Sequence, residues 1–152
     1  KSFVLGGHGD SMVAMLGSTE IGGKNILRLV KEGKISKERL DQIVDRTKKG
    51  GAEIVKYLEK GSAFYAPAAS GVEMAECYLK DLKKQLPCAV YLNGEYGTKD
   101  IYAGVPVIIG SKGVEKVIEL DLSAEERKNF DNSIKAVKEL FDAAKKIDPD
   151  LQ

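Results

Sequence analysis

The chain has 152 residues, of which 43% are hydrophobic and 31% are charged, proportions typical of a single soluble globular domain. Its formal net charge of +1 gives no global attraction to nucleic acid or to an anionic membrane. No apolar run approaches the roughly 20 residues that a membrane-spanning helix needs. One histidine and two cysteines distant in sequence do not make a zinc-binding set. We therefore expect neither nucleic acid nor a membrane as a partner, and no metal site.

The two cysteines, Cys77 and Cys88, are too few for a disulfide framework, and we expect both to be buried and reduced. No signal-peptide pattern is found, which together with the reduced thiols predicts a cytoplasmic location. Lys1 has no methionine before it, and the sequence already reads as a strand at Phe3. We therefore expect residues 1–152 to be one domain taken from a longer protein.

The first half of the sequence predicts a β-hairpin followed by helices. Glycines between two short apolar runs favour a tight turn, and Ser36 is suited to cap a helix. The glycine pair at 50–51 should kink or break that helix, and Gly61 should end it. Pro67 suits the first turn of the next helix. The predicted elements are strands at 3–5 and 12–16, then helices near 26–33, 36–61 and 66–82.

The second half predicts strands and a long final helix. Ser123 and Glu126 have the spacing of a capping box, and the sequence Asp148-Pro149 should end the helix. Apolar residues recur between these points at helical spacing: Phe130, Ile134, Val137, Phe141 and Ala144. The predicted strands are 88–92, 105–109 and 117–122. Because strands and helices do not alternate regularly, the order predicts an α+β fold of antiparallel strands packed with long helices.

No glycine-rich nucleotide-binding loop is evident. Gly7 and Gly9 supply the first half of a dinucleotide fingerprint, but Met12 stands where the third glycine belongs. Residues 17–24 come close to a P-loop, except that one residue too many separates the glycines and Asn25 follows the lysine. We interpret both segments as structural.

The segment His8-Gly9-Asp10-Ser11 holds the only histidine of the sequence. An imidazole exchanges protons near neutral pH, and a polar side chain on a glycine-rich turn is displayed rather than packed. Asp10 is either a partner of His8 in a local dyad or a residue that stabilises the turn, and we favour the turn. Nothing places a base beside Ser11, which disfavours a nucleophile. From these residues alone, a functional and a structural His8 are both open.

Residues 61–70, GSAFYAPAAS, place small side chains around an aromatic pair at the entrance of a predicted helix. One interpretation is a tightly packed helix start. The other is a helix that lines a pocket, where little side-chain bulk lets a ligand approach. The residues themselves support both equally.

Several segments give the sequence a family resemblance. LGGHGDSMVAM at 5–15 resembles the segment that carries the catalytic histidine in the lactate/malate dehydrogenase family. GSAFYAPAAS at 61–70 and LPCAVYLNGEYG at 86–97 look like the bacterial malate dehydrogenases within that family. GVPVIIGSKGVEKVIEL at 104–120 continues in the family's order, so the resemblance runs from the first residues to the final helix.

The resemblance implies a fold, an activity and particular residues. The chain would be the carboxy-terminal, substrate-binding domain of an NAD-dependent enzyme that interconverts malate and oxaloacetate, a reaction of the tricarboxylic acid cycle. His8 would match the catalytic residue that accepts the hydroxyl proton of malate and returns a proton to oxaloacetate. Ala63 would face the substrate, and Pro67 would lie near the nicotinamide ring. Because members of the family are dimers or tetramers, the resemblance also implies a homo-oligomer.

The resemblance further implies that some machinery lies elsewhere. The family's dinucleotide-binding domain, orienting aspartate and substrate-binding arginines precede this segment, so the isolated chain should be inactive. Gly7 favours malate, since lactate dehydrogenases usually carry glutamate before this histidine. The same half of an L-lactate or other 2-hydroxyacid dehydrogenase stays an alternative, as does a non-catalytic oligomerisation module. Ala14 stands where the family commonly has proline, and we expect this to loosen the second strand at most.

Overall fold

The computed structural model describes residues 1–148 and 150–151, and its main body is a five-stranded antiparallel sheet with helices packed against it. In chain order the strands are β1 (Val4–Gly6), β2 (Met12–Ala14), β3 (Glu20–Ile21), β4 (Lys24–Asn25), β5 (Lys84–Asn93), β6 (Lys99–Gly110) and β7 (Gly113–Val117). The helices are α1 (Ile26–Lys31), α2 (Lys37–Leu58), α3 (Tyr65–Leu79) and α4 (Ala124–Ile147). This arrangement confirms the predicted α+β fold.

Strand β6 is the centre of the large sheet, because it pairs with β1, β5 and β7. The strand order is β2-β1-β6-β5, with β7 also on β6. Alternate side chains of β6 point into the core: Ile101, Ala103, Val105, Val107 and Ile109. Phe130 and Ile134 of α4 pack into the same core. The strands predicted at 88–92 and 105–109 are confirmed and form the middles of β5 and β6.

Both cysteines are buried and free, as predicted. Cys77 lies on α3 and Cys88 on β5, and both belong to the hydrophobic core. Burial raises the pKa of the Cys88 thiol, which keeps it protonated and unreactive at neutral pH. The two thiols therefore act as small apolar packing groups.

The strand predicted over 117–122 is wrong, because β7 ends at Val117. The Ile118 amide still donates to the Pro106 carbonyl at 2.8 Å, and then the chain leaves the sheet. Beyond β7, the Tyr96 hydroxyl satisfies the backbone groups that a neighbouring strand would otherwise bind. It donates to the Ile118 carbonyl at 2.8 Å and accepts from the Leu120 amide at 3.0 Å. The apolar residues of this segment therefore reflect packing against the core rather than strand pairing.

The predicted helix caps are observed. The Ser36 hydroxyl accepts from the Arg39 amide at 3.1 Å at the start of α2, and Ser123 with Glu126 forms the capping box of α4. Pro67 is in the first turn of α3, which ends at Leu79 instead of residue 82. At the end of α4, Asp148 is the C-cap, whereas the predicted role of Pro149 lies outside the described residues.

Helix α2 runs unbroken through Gly50 and Gly51, so the predicted break is wrong. A glycine in a helix interior costs only about 1 kcal/mol relative to alanine, which favourable contacts on either side can offset. Arg46 and Glu53 form such a contact across the glycine pair, with two hydrogen bonds of 2.9 and 2.8 Å between guanidinium and carboxylate. The two glycines thus lower helix propensity without ending the helix.

A small hairpin of β3 and β4 was not predicted. Gly22 and Gly23 form its turn with φ values of 56° and 75°, a left-handed conformation that glycine adopts without strain. The hairpin lies within the segment that came close to a P-loop, and Asn25 at its end caps α1 by accepting from the Leu27 amide at 2.9 Å. No helix in the described part of the chain is long and apolar enough to span a membrane.

We predict that Gly50→Ala and Gly51→Ala each stabilise the fold. Each added methyl group would meet no atom within 4 Å outside the helix backbone, and each change removes a helix-interior glycine, so the gain should be about 0.5–1 kcal/mol. Urea denaturation of both variants and the parent chain measures this gain. Gly33→Ala is the matched control, because Gly33 has a φ of 69°, and it should destabilise. A loss of stability in the Gly50 or Gly51 variant would contradict the account of α2.

Candidate functional site

His8 lies on the turn between β1 and β2, where the antiparallel pairing of Gly6 with Met12 ends. Its backbone is extended, with φ −97° and ψ 151°, and a short 3₁₀ helix (Gly9–Ser11) follows it. The imidazole is exposed. Among the described residues, no side chain forms a hydrogen bond with it. The turn therefore presents a histidine that is free to meet a ligand, as predicted.

A concave surface of about 510 Å³ surrounds His8. Helix α2 supplies its opposite wall, around the glycine pair, and the 3₁₀ turn supplies its floor. The lining residues are His8, Gly9, Asp10, Met12, Thr47, Lys48, Lys49, Gly51 and Ala52. Gly51 contributes no side chain to this surface, and a Cβ atom there would meet no atom within 4 Å outside the helix backbone.

The backbone on both sides of His8 is held by hydroxyl groups. Before it, the Gly7 amide donates to Ser133 Oγ on α4 at 2.8 Å. After it, Ser11 Oγ donates to the carbonyl of His8 itself at 3.2 Å. The turn is thus bonded to a helix and closed by its own serine.

Two glycines are required where the turn meets α4. Gly6 has a φ of 89°, and a Cβ atom there would lie 2.2 Å from Ser133 Oγ. A Cβ atom on Gly7 would lie 2.4 Å from Ser11 Oγ and 3.1 Å from Val137 Cγ2. A side chain at Gly6 would therefore displace Ser133 of α4, and one at Gly7 would require Ser11 to move.

The structure does not form the dyad between His8 and Asp10. Asp10 is exposed and faces Lys49 of α2; the pKa of Lys49 is raised first by its hydrogen bond to Asp45 and, to a smaller extent, by the charge of Asp10. The Ser11 hydroxyl donates its hydrogen bond to the His8 carbonyl, and among the described residues no basic side chain bonds to it. Asp10 and Ser11 therefore belong to the turn, as favoured from the sequence.

The other predicted site residues lie apart from this concave surface. Ala63 is half-buried in the connection between α2 and α3, and Pro67 is exposed in the first turn of α3. Neither is among the residues that line the surface around His8. The structure thus places His8 in a concave surface and does not bring Ala63 or Pro67 into its lining.

The sequence interpretation missed Ser133, and it named Glu126 only as part of a capping box, although both residues of α4 also bind the backbone near the hairpin. Ser133 is 3% exposed and Glu126 is 9% exposed, and Glu126 Oε1 accepts from the Gly17 amide at 2.9 Å. Burial alone would raise the pKa of Glu126, but hydrogen bonds from the amides of Gly17 and Ser123 keep it below the usual range. The sequence feature that could have predicted their burial is their position on the apolar stripe of α4, beside Phe130 and Ile134.

Helix α3 exposes most of its apolar side chains. Of its 15 residues only Cys77 is buried. The most exposed large apolar residues on α3 and at the end of α2 are Tyr57, Tyr65, Val72 and Leu79, each at least 68% exposed. Contiguous apolar surface of this kind typically marks a contact with another domain or subunit.

The described residues offer neither a metal site nor a dinucleotide site. Within ranges 1–148 and 150–151, no three histidine, cysteine, aspartate or glutamate side chains converge so as to hold a metal ion. The pairings of the described strands are all antiparallel, and a dinucleotide fold needs parallel strands joined by crossover helices. The described residues therefore provide no site that could hold the whole NAD molecule.

Known proteins match the chain along nearly its full length. The lactate/malate dehydrogenase, alpha/beta C-terminal domain matches residues 1–147. The malate dehydrogenase of Pelagibacter ubique (strain HTCC1062) is 67% identical over 151 residues, which cover 99% of this chain and 47% of that protein. The chain therefore spans about half the length of this relative.

Solved structures of both activities in this family have the same fold. A malate dehydrogenase from Salinibacter ruber matches with a TM-score of 0.89 and 41% identity, covering 100% of this chain and 48% of that one. A lactate dehydrogenase from Eimeria maxima, solved with NADH and oxamate, matches with a TM-score of 0.92 and 43% identity, covering 98% and 46%. The resemblance seen in the sequence motifs is thus confirmed, and the chain belongs to the lactate/malate dehydrogenase family, of which it carries the alpha/beta C-terminal domain.

Proposed function

We propose that this chain is the substrate-binding half of an NAD-dependent malate dehydrogenase and that His8 is its acid/base residue. The observation that carries the proposal is the presentation of His8: an exposed imidazole without a side-chain partner among the described residues, on a turn held from both sides, in a concave surface. The 67% identity to the Pelagibacter ubique malate dehydrogenase supports malate as the substrate.

His8 would move one proton. Oxidation of malate to oxaloacetate removes a hydride from C2, for which NAD would be the acceptor when bound, and a proton from the C2 hydroxyl. The imidazole would accept that proton, since imidazole exchanges protons near neutral pH. In the reverse direction the imidazolium would return the proton to the carbonyl oxygen of oxaloacetate. An orienting carboxylate normally fixes the tautomer of such a histidine, and Asp10 does not serve this role here. We therefore expect that carboxylate, and the arginines that bind the substrate carboxylates, in another part of the full-length enzyme.

Ala63 and Pro67 are proposed from the family resemblance alone. Ala63 would face the substrate and Pro67 the nicotinamide ring. Both are small or rigid residues at the open start of α3, which is compatible with close approach of a ligand. The dinucleotide itself is assigned to a preceding domain of a longer protein, because the antiparallel sheet described here supplies no site for it. A cytoplasmic location stays a prediction.

Two alternatives have support of their own. The Eimeria maxima lactate dehydrogenase has nearly the same fold at 43% identity, so the same half of a lactate dehydrogenase is the second candidate. Gly7 argues against it, because the family's lactate enzymes usually carry glutamate at the position before this histidine. A non-catalytic oligomerisation module is the third candidate, and the presentation of His8 argues against it.

We predict that His8→Asn in the full-length enzyme lowers kcat with oxaloacetate by about 10²–10⁴-fold, because proton transfer would lose its acid/base group. The affinity for NADH should stay nearly unchanged, since NADH binds mainly elsewhere. Steady-state rates and NADH titration measure both. Asp10→Asn is the control, and it should keep far more activity than His8→Asn because Asp10 is not the partner of His8.

The same assay tests the alternatives. Rates of the parent enzyme with oxaloacetate should exceed those with pyruvate, and a preference for pyruvate would favour the lactate enzyme. If His8→Asn retains a near wild-type kcat, His8 is not the acid/base residue, and the proposal fails.

We predict that the isolated chain does not bind NAD with micromolar affinity, because its strands form no crossover dinucleotide site. Isothermal titration calorimetry of residues 1–152 measures this, with the full-length enzyme as the positive control. A micromolar dissociation constant for the isolated chain would contradict the assignment of the cofactor to another domain.

We predict that the isolated chain associates with itself through the exposed apolar side chains of α3 and the end of α2. Sedimentation velocity at micromolar concentration should show species heavier than the 16.5 kDa monomer. Val72→Glu should weaken association, whereas Leu140→Glu on α4 is the matched control, since the two side chains are 68% and 73% exposed. A single species near 16.5 kDa for the parent chain would show that this surface does not drive association.

A further inference from the structure

Helix α4 contacts the His8 hairpin through buried polar side chains. Within the described residues, three polar or charged residues are buried: Thr98, Glu126 and Ser133. Glu126 and Ser133 lie on α4, seven residues or about two turns apart, so they share one face. Both accept a hydrogen bond from the backbone of the hairpin: Ser133 from Gly7, one residue before His8, and Glu126 from Gly17, beyond the end of β2.

The bond from Gly7 to Ser133 replaces a sheet bond. Strand β1 ends at Gly6, so the Gly7 amide is the first that the sheet does not hold. Ser133 Oγ accepts from it at 2.8 Å, and the hydroxyl is packed so closely that a Cβ atom on Gly6 would lie 2.2 Å away. An unpaired buried amide is costly, and glycine has the most mobile backbone of all residues. Ser133 therefore restrains the flexible glycine backbone at Gly7, directly before His8.

We propose that Ser133 is a positioning residue for His8: by accepting from the Gly7 amide, it fixes the Gly6–Gly7 peptide and thereby the backbone that leads into His8. This inference rests on the proposed acid/base function of His8. Ser133 does not touch the concave surface around His8 and acts only through the backbone. Displacement of a reacting group by about 1 Å costs on the order of 10²-fold in rate, so restraint of this peptide matters for turnover.

Glu126 provides a demanding comparison on the same helix, because its removal costs the capping box of α4 as well as the bond to Gly17. It too is a buried side chain of α4 bonded to a backbone amide of the same hairpin region, at 2.9 Å from the Gly17 nitrogen. Gly17, however, lies nine residues after His8 and past β2. Loss of either bond should loosen the contact between α4 and the hairpin, but only loss of the Ser133 bond frees the Gly6–Gly7 peptide, which lies one peptide before His8.

The test uses the full-length enzyme with Ser133→Ala and Glu126→Ala. We expect Ser133→Ala to lower kcat with oxaloacetate by about tenfold or more, with KM for oxaloacetate and affinity for NADH within twofold of the parent. Hydrogen exchange of the Gly7 amide, followed with ¹⁵N-glycine labelling, should speed up in this variant. Glu126→Ala should speed up exchange at Gly17 and keep kcat within twofold. Should Ser133→Ala fail to fold, Ser133→Cys replaces it with a weak acceptor of similar shape.

Either of two results overturns the proposal. One is a kcat within twofold of the parent while Gly7 exchanges faster, since the peptide would then be free without consequence. The other is an equal loss of kcat in the Ser133 and Glu126 variants, which would indicate a general loosening of the fold. A near wild-type rate for His8→Asn would instead refute the acid/base function of His8, so the two failures are distinguishable.

Discussion

The close approach of three backbone segments around Gly6 is the constraint on which the site depends. A Cβ atom on Gly104 of β6 would lie 2.8 Å from the Gly6 carbonyl oxygen, and one on Gly6 would lie 2.2 Å from Ser133 Oγ. The sheet, the hairpin and α4 therefore meet with only the Ser133 side chain between them. This contact lets the core under α4, with Phe130 and Ile134 buried, set the position of a turn in which none of residues 7–11 is itself buried.

The parts of the fold that follow from local chemistry could be predicted from the sequence. Capping by Ser36 and Ser123, the hairpin on either side of His8 and the middles of β5 and β6 each depend on residues within a few positions of one another. Other contacts overrode the local signal elsewhere. Within α2, Arg46 and Glu53 bond across the glycine pair, and more distant in sequence the Tyr96 hydroxyl replaces the strand partner expected beyond Val117.

The candidate site shows the same division. A histidine among glycines is visible in the sequence, and its exposure follows from the turn that those glycines form. The contact between Gly7 and Ser133 joins residues 126 positions apart, so no local sequence pattern predicts it. A single serine in the apolar stripe of a helix is instead interpreted as a polar residue that the core tolerates. Ala63 and Pro67 have no polar side-chain group, so neither residue indicates a chemical role by itself. Their proposed partners are the substrate and the nicotinamide ring rather than neighbouring side chains.

The exposure of His8 indicates that the described residues form one side of a site rather than a complete site. A catalytic imidazole needs an orienting carboxylate and a substrate held within reach, and α2, β1 and α4 supply neither within the described residues. They supply a concave surface and a turn whose backbone is hydrogen-bonded on both sides of His8. None of the most exposed apolar residues of α3 lines that surface. The apolar surface of α3 and the concave surface around His8 are therefore formed by different residues, so a contact made by one need not involve the other.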